Sequence, residues 1–225
     1  MKHAILYCAI LAATAQVPPD SGAAIGRKWK QNADALREYG HQRRTEIRVK
    51  GEVKGTRVEL IRYVDGEKET VPLETPAQSA VPARGGGLRG RMVQKKREQM
   101  RDEIGRLRQL LESYTAPQSG MRDLLGKAAI SRTGSGDDAA IQVVGQGVVT
   151  PSDSVILTWS VVHQRPEKIE VRSELDGKPV TVTVDYAQLP NGPFYAARAV
   201  ISAPKNDLVL NIEEFDYARG GESRQ

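Results

Sequence analysis

The chain has 225 residues, 39% of them hydrophobic, 27% charged and only 5% aromatic, with a formal net charge of +5. That suffices for one ordinary domain or two small ones, globular rather than disordered, with a core resting on aliphatic side chains. A single cysteine excludes an intramolecular disulfide framework and cysteine-based zinc sites, and three histidines leave little for a triad or a metal centre.

Residues 1–15 read as a secretory signal peptide. Lys2-His3 precedes an apolar run from Ala4 to Ala13, and Ala13-Thr14-Ala15 places small residues where a signal peptidase reads them. The run is about half the ~20 residues a membrane-crossing helix needs. Ile5-Leu6-Tyr7 are too bulky to precede an acylated Cys8, so lipidation is not expected. Cleavage after Ala15 leaves a thiol-free chain that must rely on packing, which predicts a periplasmic or secreted bacterial protein.

After Pro18-Pro19, Ser21 can cap a helix running to Tyr39 with Gly40 as its stop. Ile25, Trp29, Ala33 and Leu36 share one face of it, and core packing is the default for Trp29. From Arg44 the period becomes two: Thr45, Ile47 and Val49 alternate with charged residues. A turn near Lys54-Gly55 leads to a strand over 56–64, and Asp65-Gly66 is a hairpin signal before a third strand ending near Leu73. Residues 74–90, with Pro76, Pro82 and Gly85-Gly86-Gly87, read as a flexible linker; no phosphate-binding glycine spacing is present.

Residues 91–114 form the clearest helix, with Val93, Met100, Ile104, Leu107, Leu111 and Tyr114 in a stripe interrupted by Arg97. A short helix over 121–129 follows, so 91–129 reads as a helical insertion. Six strands are then expected, over 141–149, 154–162, 167–175, 178–186, 195–203 and 207–217. Asp176-Gly177, Pro190-Asn191-Gly192-Pro193 and Lys205-Asn206 mark turns. Val155, Leu157, Trp159 and Val161 share a face, as do Val180, Val182, Val184 and Tyr186. About nine antiparallel strands with one dry face need a cover, because each exposed core-type Val or Leu forfeits roughly 1.5–3 kcal/mol. The expected fold is α+β: a strongly curved antiparallel half-barrel wrapped around two or three helices, a single domain over 16–225, with two small domains as the alternative.

This order of elements resembles the outer-membrane lipoprotein carrier superfamily, with its LolA-like and RseB-like domains, and uncharacterised secreted bacterial proteins of similar pattern. The residues carrying the resemblance are Trp29-Lys30-Gln31-Asn32-Ala33 through Leu36 and Tyr39, then Lys168-Ile169-Glu170-Val171, Leu175-Asp176-Gly177, Tyr186 and Leu189-Pro190-Asn191-Gly192. It covers about two-thirds of the mature chain and implies a half-open barrel with helices at its mouth, holding acyl chains or apolar peptide. The basic segment from Arg84 to Tyr114 is not part of that pattern.

Catalytic signals are absent: there is no GxSxG motif, and only His41 and His163 remain after signal cleavage. Both histidines read as surface or hydrogen-bonded residues. Glu213 and Glu214 are adjacent on a strand, point to opposite faces and cannot act as an acid/base pair. Asp137-Asp138 reads as a solvated turn without calcium-loop spacing. No enzyme activity, cofactor or metal is expected.

Between Arg84 and Arg108, nine Lys/Arg face three Asp/Glu, more than the whole chain's net charge. A basic helix with an apolar stripe suits an anionic membrane surface, and it equally suits a solvated helix that covers the sheet. Without interleaved aromatics, nucleic acid is not an expected partner.

The expected function is non-enzymatic binding of an apolar ligand, an acyl chain, lipid or lipoprotein anchor, on the dry face of the sheet. Trp29, Leu36, Tyr39, Leu157, Trp159 and Val161 would line the site, and Met100, Ile104, Leu107 and Leu111 would form a movable lid. Arg91, Lys95, Lys96, Arg97, Arg101 and Arg108 would contact a membrane or partner. The motivation is an excess of dry strand surface over helix available to cover it. The alternative is a structural or regulatory interaction module whose groove is plugged by its own helices, and the oligomeric state is left open.

Overall fold

The protein is described by a computed structural model over residues 21–74, 88–115, 124–126, 128–204 and 207–220. The expected signal peptide, most of the expected 74–90 linker and the expected turn at Lys205-Asn206 lie outside the described residues. Helix α1 (Ser21–Leu36) precedes the strands β1 (Tyr39–Val49), β2 (Glu52–Val64) and β3 (Glu67–Glu74). Helix α2 (Leu88–Thr115) follows, then β4 (Ala129–Thr133), β5 (Ala140–Gln146), β6 (Ser154–Ser160), β7 (Arg165–Leu175), β8 (Lys178–Gln188), β9 (Phe194–Ala203) and β10 (Leu208–Arg219).

All ten strands join one open antiparallel sheet in the order β3-β2-β1-β10-β9-β8-β7-β6-β5-β4. Three tight turns share one chemistry. Lys50-Gly51, Asp65-Gly66 and Asp176-Gly177 all have positive φ at both residues, the geometry that matches the right-handed twist of hairpin strands. The first of these replaces the expected turn at Lys54-Gly55. Gly55 instead stands opposite Ile47 beside a register shift in the ladder. The strand it belongs to is thus four residues longer than its alternation suggested.

Two other boundaries move for a pairing reason. Helix α1 stops at Leu36, and Tyr39 and Gly40 are drawn into β1 opposite Arg219 and Ala218. The Gly220 N–H donates to the Glu38 carbonyl at 2.9 Å, fixing the corner. Residue 129, expected at the end of a short helix, opens β4, a short edge strand whose polar Ser131, Arg132 and Thr133 carried no strand signal. Helical conformation is described there at 124–126.

One face of the sheet is dry and covered by both helices. Val143, Val155, Leu157, Trp159, Ile169, Val171, Val180, Val182, Val184, Ile201, Leu208, Leu210 and Ile212 are buried there. Helix α1 adds Ile25 and Trp29; α2 adds Leu107, Leu110 and Tyr114. Trp29 sits in an aromatic cluster with Trp159, Tyr186 and Phe194 at centroid distances of 6.2, 5.6 and 5.4 Å. Its core role is the one its spacing predicted. The Asn32 amide clamps α1 to the start of β9, donating to the Phe194 carbonyl at 2.8 Å and accepting from its N–H at 2.7 Å. That pair satisfies backbone groups where β9 leaves its turn.

Candidate functional site

The dry face divides into two arms of different chemistry. The arm built from β5–β9 is aliphatic and aromatic. The arm built from β1, β2 and β10 carries charge inward: Glu214 lies opposite Arg43, and Arg43 lies opposite Glu59 on the next strand. This acid-base-acid row is invisible to an alternation test, because inward Glu and Arg look like solvent-facing positions.

Each member of the row is held. Glu59, with its side chain 2% exposed, takes Arg57 at 2.8 Å on one oxygen and Arg108 of α2 at 2.7 Å on the other. Glu214 accepts from Arg43 at 2.6 and 3.0 Å, and from the Tyr217 hydroxyl at 2.8 Å. Burial alone would raise the Glu214 carboxyl, but His41 and Arg43 beside it hold it at about 2. Tyr217 reaches this face through a β-bulge: Gly40 pairs with Ala218 and Gln42 with Phe215, and Asp216 takes φ 53°. Burial, with Glu214 close by, raises the Tyr217 hydroxyl far above its ordinary value. Glu213 points the other way, to exposed Arg44, as adjacent strand residues must.

His41 departs from the expected role, surface or hydrogen-bonded, on both counts. It is buried in β1 and stacked on Tyr217 at 4.6 Å, with Nε2 3.6 Å from Glu214; among the described residues neither ring nitrogen has a hydrogen-bond partner. His163 sits exposed in the β6–β7 turn. Among the described residues no group of His, Cys, Asp or Glu could hold a metal ion.

Helix α2 lies over both arms. Leu107, Leu110 and Tyr114 are buried, and Met100, Ile104 and Leu111 pack against the same core. Arg106 pairs with Asp176 in the β7–β8 turn, Lys68 of β3 with Glu112, and Arg108 with Glu59. At the helix C-terminus the Tyr114 hydroxyl donates to Asp153 at 2.8 Å and meets Ser173 at 3.2 Å. Asp153 is fully buried and also accepts the N–H groups of Val148, Val149 and Thr150 at 2.7, 2.7 and 2.8 Å. Burial pushes its carboxyl up, and those donors, joined by Tyr114, more than offset the push and hold it low.

The expected lining residues therefore separate. Trp29, Leu107, Leu157 and Trp159 come together in the core, with Met100, Ile104 and Leu111 against it. Leu36 is half-buried outside that cluster, and Val161 lies in the turn beyond β6, its N–H on the Ala139 carbonyl. Tyr39 lines a polar cleft at the end of α1 instead of the groove. Arg91, Lys95, Lys96, Arg97 and Arg101 are exposed, whereas Arg108 turns inward onto Glu59. Leu110, Asp153 and the charged row of Arg43, Glu59 and Glu214 with Tyr217 are site residues that sequence reasoning missed. For Leu110, its place beside Leu107 and Leu111 was a readable signal.

Among the described residues α2 occupies most of the hollow, contrary to the expected shortage of helix. Under α2, a space of about 50 Å³ remains between Leu111, Thr115, Ala196, Ala199 and Ile212, and one of about 10 Å³ near Leu107 and Val180. The reason is how α2 docks: its C-terminal half, from Met100 to Tyr114, packs onto the core and spans the dry face.

No protein-family model matches the sequence, and no curated protein matches it. Solved structures resemble its fold. A domain classed with outer membrane lipoprotein-sorting proteins, from Vibrio parahaemolyticus, aligns over 89% of this chain and 92% of its own, at TM-score 0.49 and 12% identity. A DUF1329 family protein from Desulfovibrio piger aligns over 91% and 94%, at 0.44 and 8%. A LolA superfamily protein from Nitrosomonas europaea aligns over 86% and 93%, at 0.36 and 10%. Among the described residues, no helix is long and apolar enough to cross a membrane.

Proposed function

We propose that the protein is a non-enzymatic periplasmic binding protein that takes up an acyl chain, lipid or lipoprotein anchor when α2 leaves the dry face of the sheet. One observation carries the reading: the buried acids that α2 touches keep partners on the sheet side without it. Glu59 retains Arg57, and Asp153 retains three backbone N–H groups. Undocking α2 therefore strands no buried carboxylate, the usual penalty for separating a buried polar contact.

The exchange is also balanced in magnitude. Leu107, Leu110 and Tyr114 each gain roughly 1.5–3 kcal/mol from burial, and an acyl chain of a dozen methylenes gains on the order of 10 kcal/mol at ~0.8 each. An alkyl chain thus matches what the helix gives up. Trp29, Leu157 and Trp159 would floor the site, with Met100, Ile104, Leu107 and Leu111 on the lid.

The test is lipid extraction and mass spectrometry of protein purified from the periplasm, with hydrogen exchange before and after delipidation. Recovery of an acyl compound, with faster exchange in α2 than in β7–β9 when it is bound, is expected. No acyl compound, with α2 as protected as the sheet in both samples, overturns the reading.

A second reading rests on the largely filled hollow and the exposed basic residues Arg91, Lys95, Lys96, Arg97 and Arg101: a self-plugged interaction module that uses α2 to bind a partner. Deleting residues 84–114 separates the two. Loss of a pulled-down partner with ligand retention unchanged favours the module.

A further inference from the structure

Among the described residues, two open clefts lie away from α2, at the C-terminal end of α1. One cleft of about 520 Å³ is bounded by α1, the β6–β7 turn and the β8–β9 loop; a second, of about 350 Å³, adjoins it at Glu38, Tyr39 and Arg219. Together their lining holds four Lys/Arg, namely Lys28, Arg37, Arg165 and Arg219, and one carboxylate, Glu38. That carboxylate is already engaged by Arg219 at 2.6 and 3.0 Å. Arg165 spends one nitrogen on the carbonyls of Pro166 and Tyr186, both at 3.3 Å, which fixes its planar fork at the cleft wall. Lys28 forms no ion pair among the described residues. Amide side chains from Gln31 and Asn191 and the His163 ring complete a polar lining.

A concave site of this size with cations in surplus raises the local concentration of small anions, and fixed guanidinium forks suit phosphate oxygens. We propose that this cleft binds a phosphate-bearing group of headgroup size, with Lys28 and Arg165 as its principal cations. The site is built without any α2 residue, so it stands or falls independently of acyl binding under that helix.

The experiment is calorimetric titration of the full mature protein with glycerol 3-phosphate, glycerol as neutral control, beside sedimentation with phosphatidylglycerol vesicles and phosphatidylcholine vesicles as control. Lys28→Glu and Arg165→Gln are the test variants. Lys30→Glu, the same charge change on exposed α1 surface outside the cleft, is the comparison. Saturable binding of at least one phosphate probe, weakened tenfold or more by either test variant and less than twofold by Lys30→Glu, is expected. Binding of the soluble probe identifies a free organophosphate as the source of the group, and binding of the vesicles alone identifies a lipid headgroup. Binding of neither probe, equal binding of the neutral controls, or equal effects of Lys28→Glu and Lys30→Glu overturns the proposal. Thermal melts of the variants separate lost binding from lost folding: a test variant that melts early is replaced in the comparison by the other.

Discussion

Asp153 is buried and Glu214 half-buried, against the usual rule for acids, and each has a different reason to stay charged. Glu214 relies on side chains, Arg43 and His41 above all, which depress its pKa from an ordinary 4.5 to about 2. A carboxyl depressed by folding contributes stability that is complete above about 4.5 and is lost as pH falls toward 2. Glu214→Gln should therefore be less stable than the wild type at pH 7 and should lose less between pH 4.5 and 2. Urea midpoints across that range decide it, and parallel curves for the two proteins would dismiss the idea. Asp153 relies on backbone donors instead. Asp153→Ala leaves three buried N–H groups without their acceptor, so a loss of about 3 kcal/mol or more is expected in chemical unfolding. Tyr114→Phe removes one donor from an acid that keeps three, and should cost about 1 kcal/mol while quickening exchange at the C-terminal turns of α2.

At the scale of elements, both helices are attached to the sheet by a few specific contacts whose loss can be read separately. Asn32→Ala removes both hydrogen bonds to the Phe194 backbone and should destabilise by about 1–2 kcal/mol, measured as a lowered melting temperature with α2 exchange unchanged. Gly145 admits the turn at 124–126: a Cβ there would stand 2.4 Å from the Leu124 Cδ1 and 3.1 Å from the Val148 Cγ2. Leu124 is buried and cannot swing out freely, so Gly145→Ala should cost about 1–3 kcal/mol. Most strands were legible because burial alternates along them, as Ile169, Val171 and Ser173 do in β7. The charged arm was not legible, since Arg43, Glu59 and Glu214 sit inward by pairing with one another, a property of three strands that no single strand displays. Nor was the docking of α2. Its stripe announced a buried face, but Arg108 read as part of the basic surface until Glu59, on another element, turned out to be its partner.

For the molecule as a whole, the strand order has a consequence for how it is assembled. The opening meander β3-β2-β1 joins the rest of the sheet only through β10, the final strand, so Arg43 meets Glu214 across 171 residues of sequence. Contacts this distant make folding slow relative to helical proteins of the same size. Deleting residues 208–219 should release β1–β3 and open the core along Leu208, Leu210 and Ile212, giving a cooperative loss of structure by circular dichroism; a truncated protein that melts like the parent would refute this. The seam works like a clasp on a bracelet. In a growing chain the clasp is made last, so an interruption anywhere ahead of Leu208 leaves an unfastened ribbon rather than a slightly shorter protein.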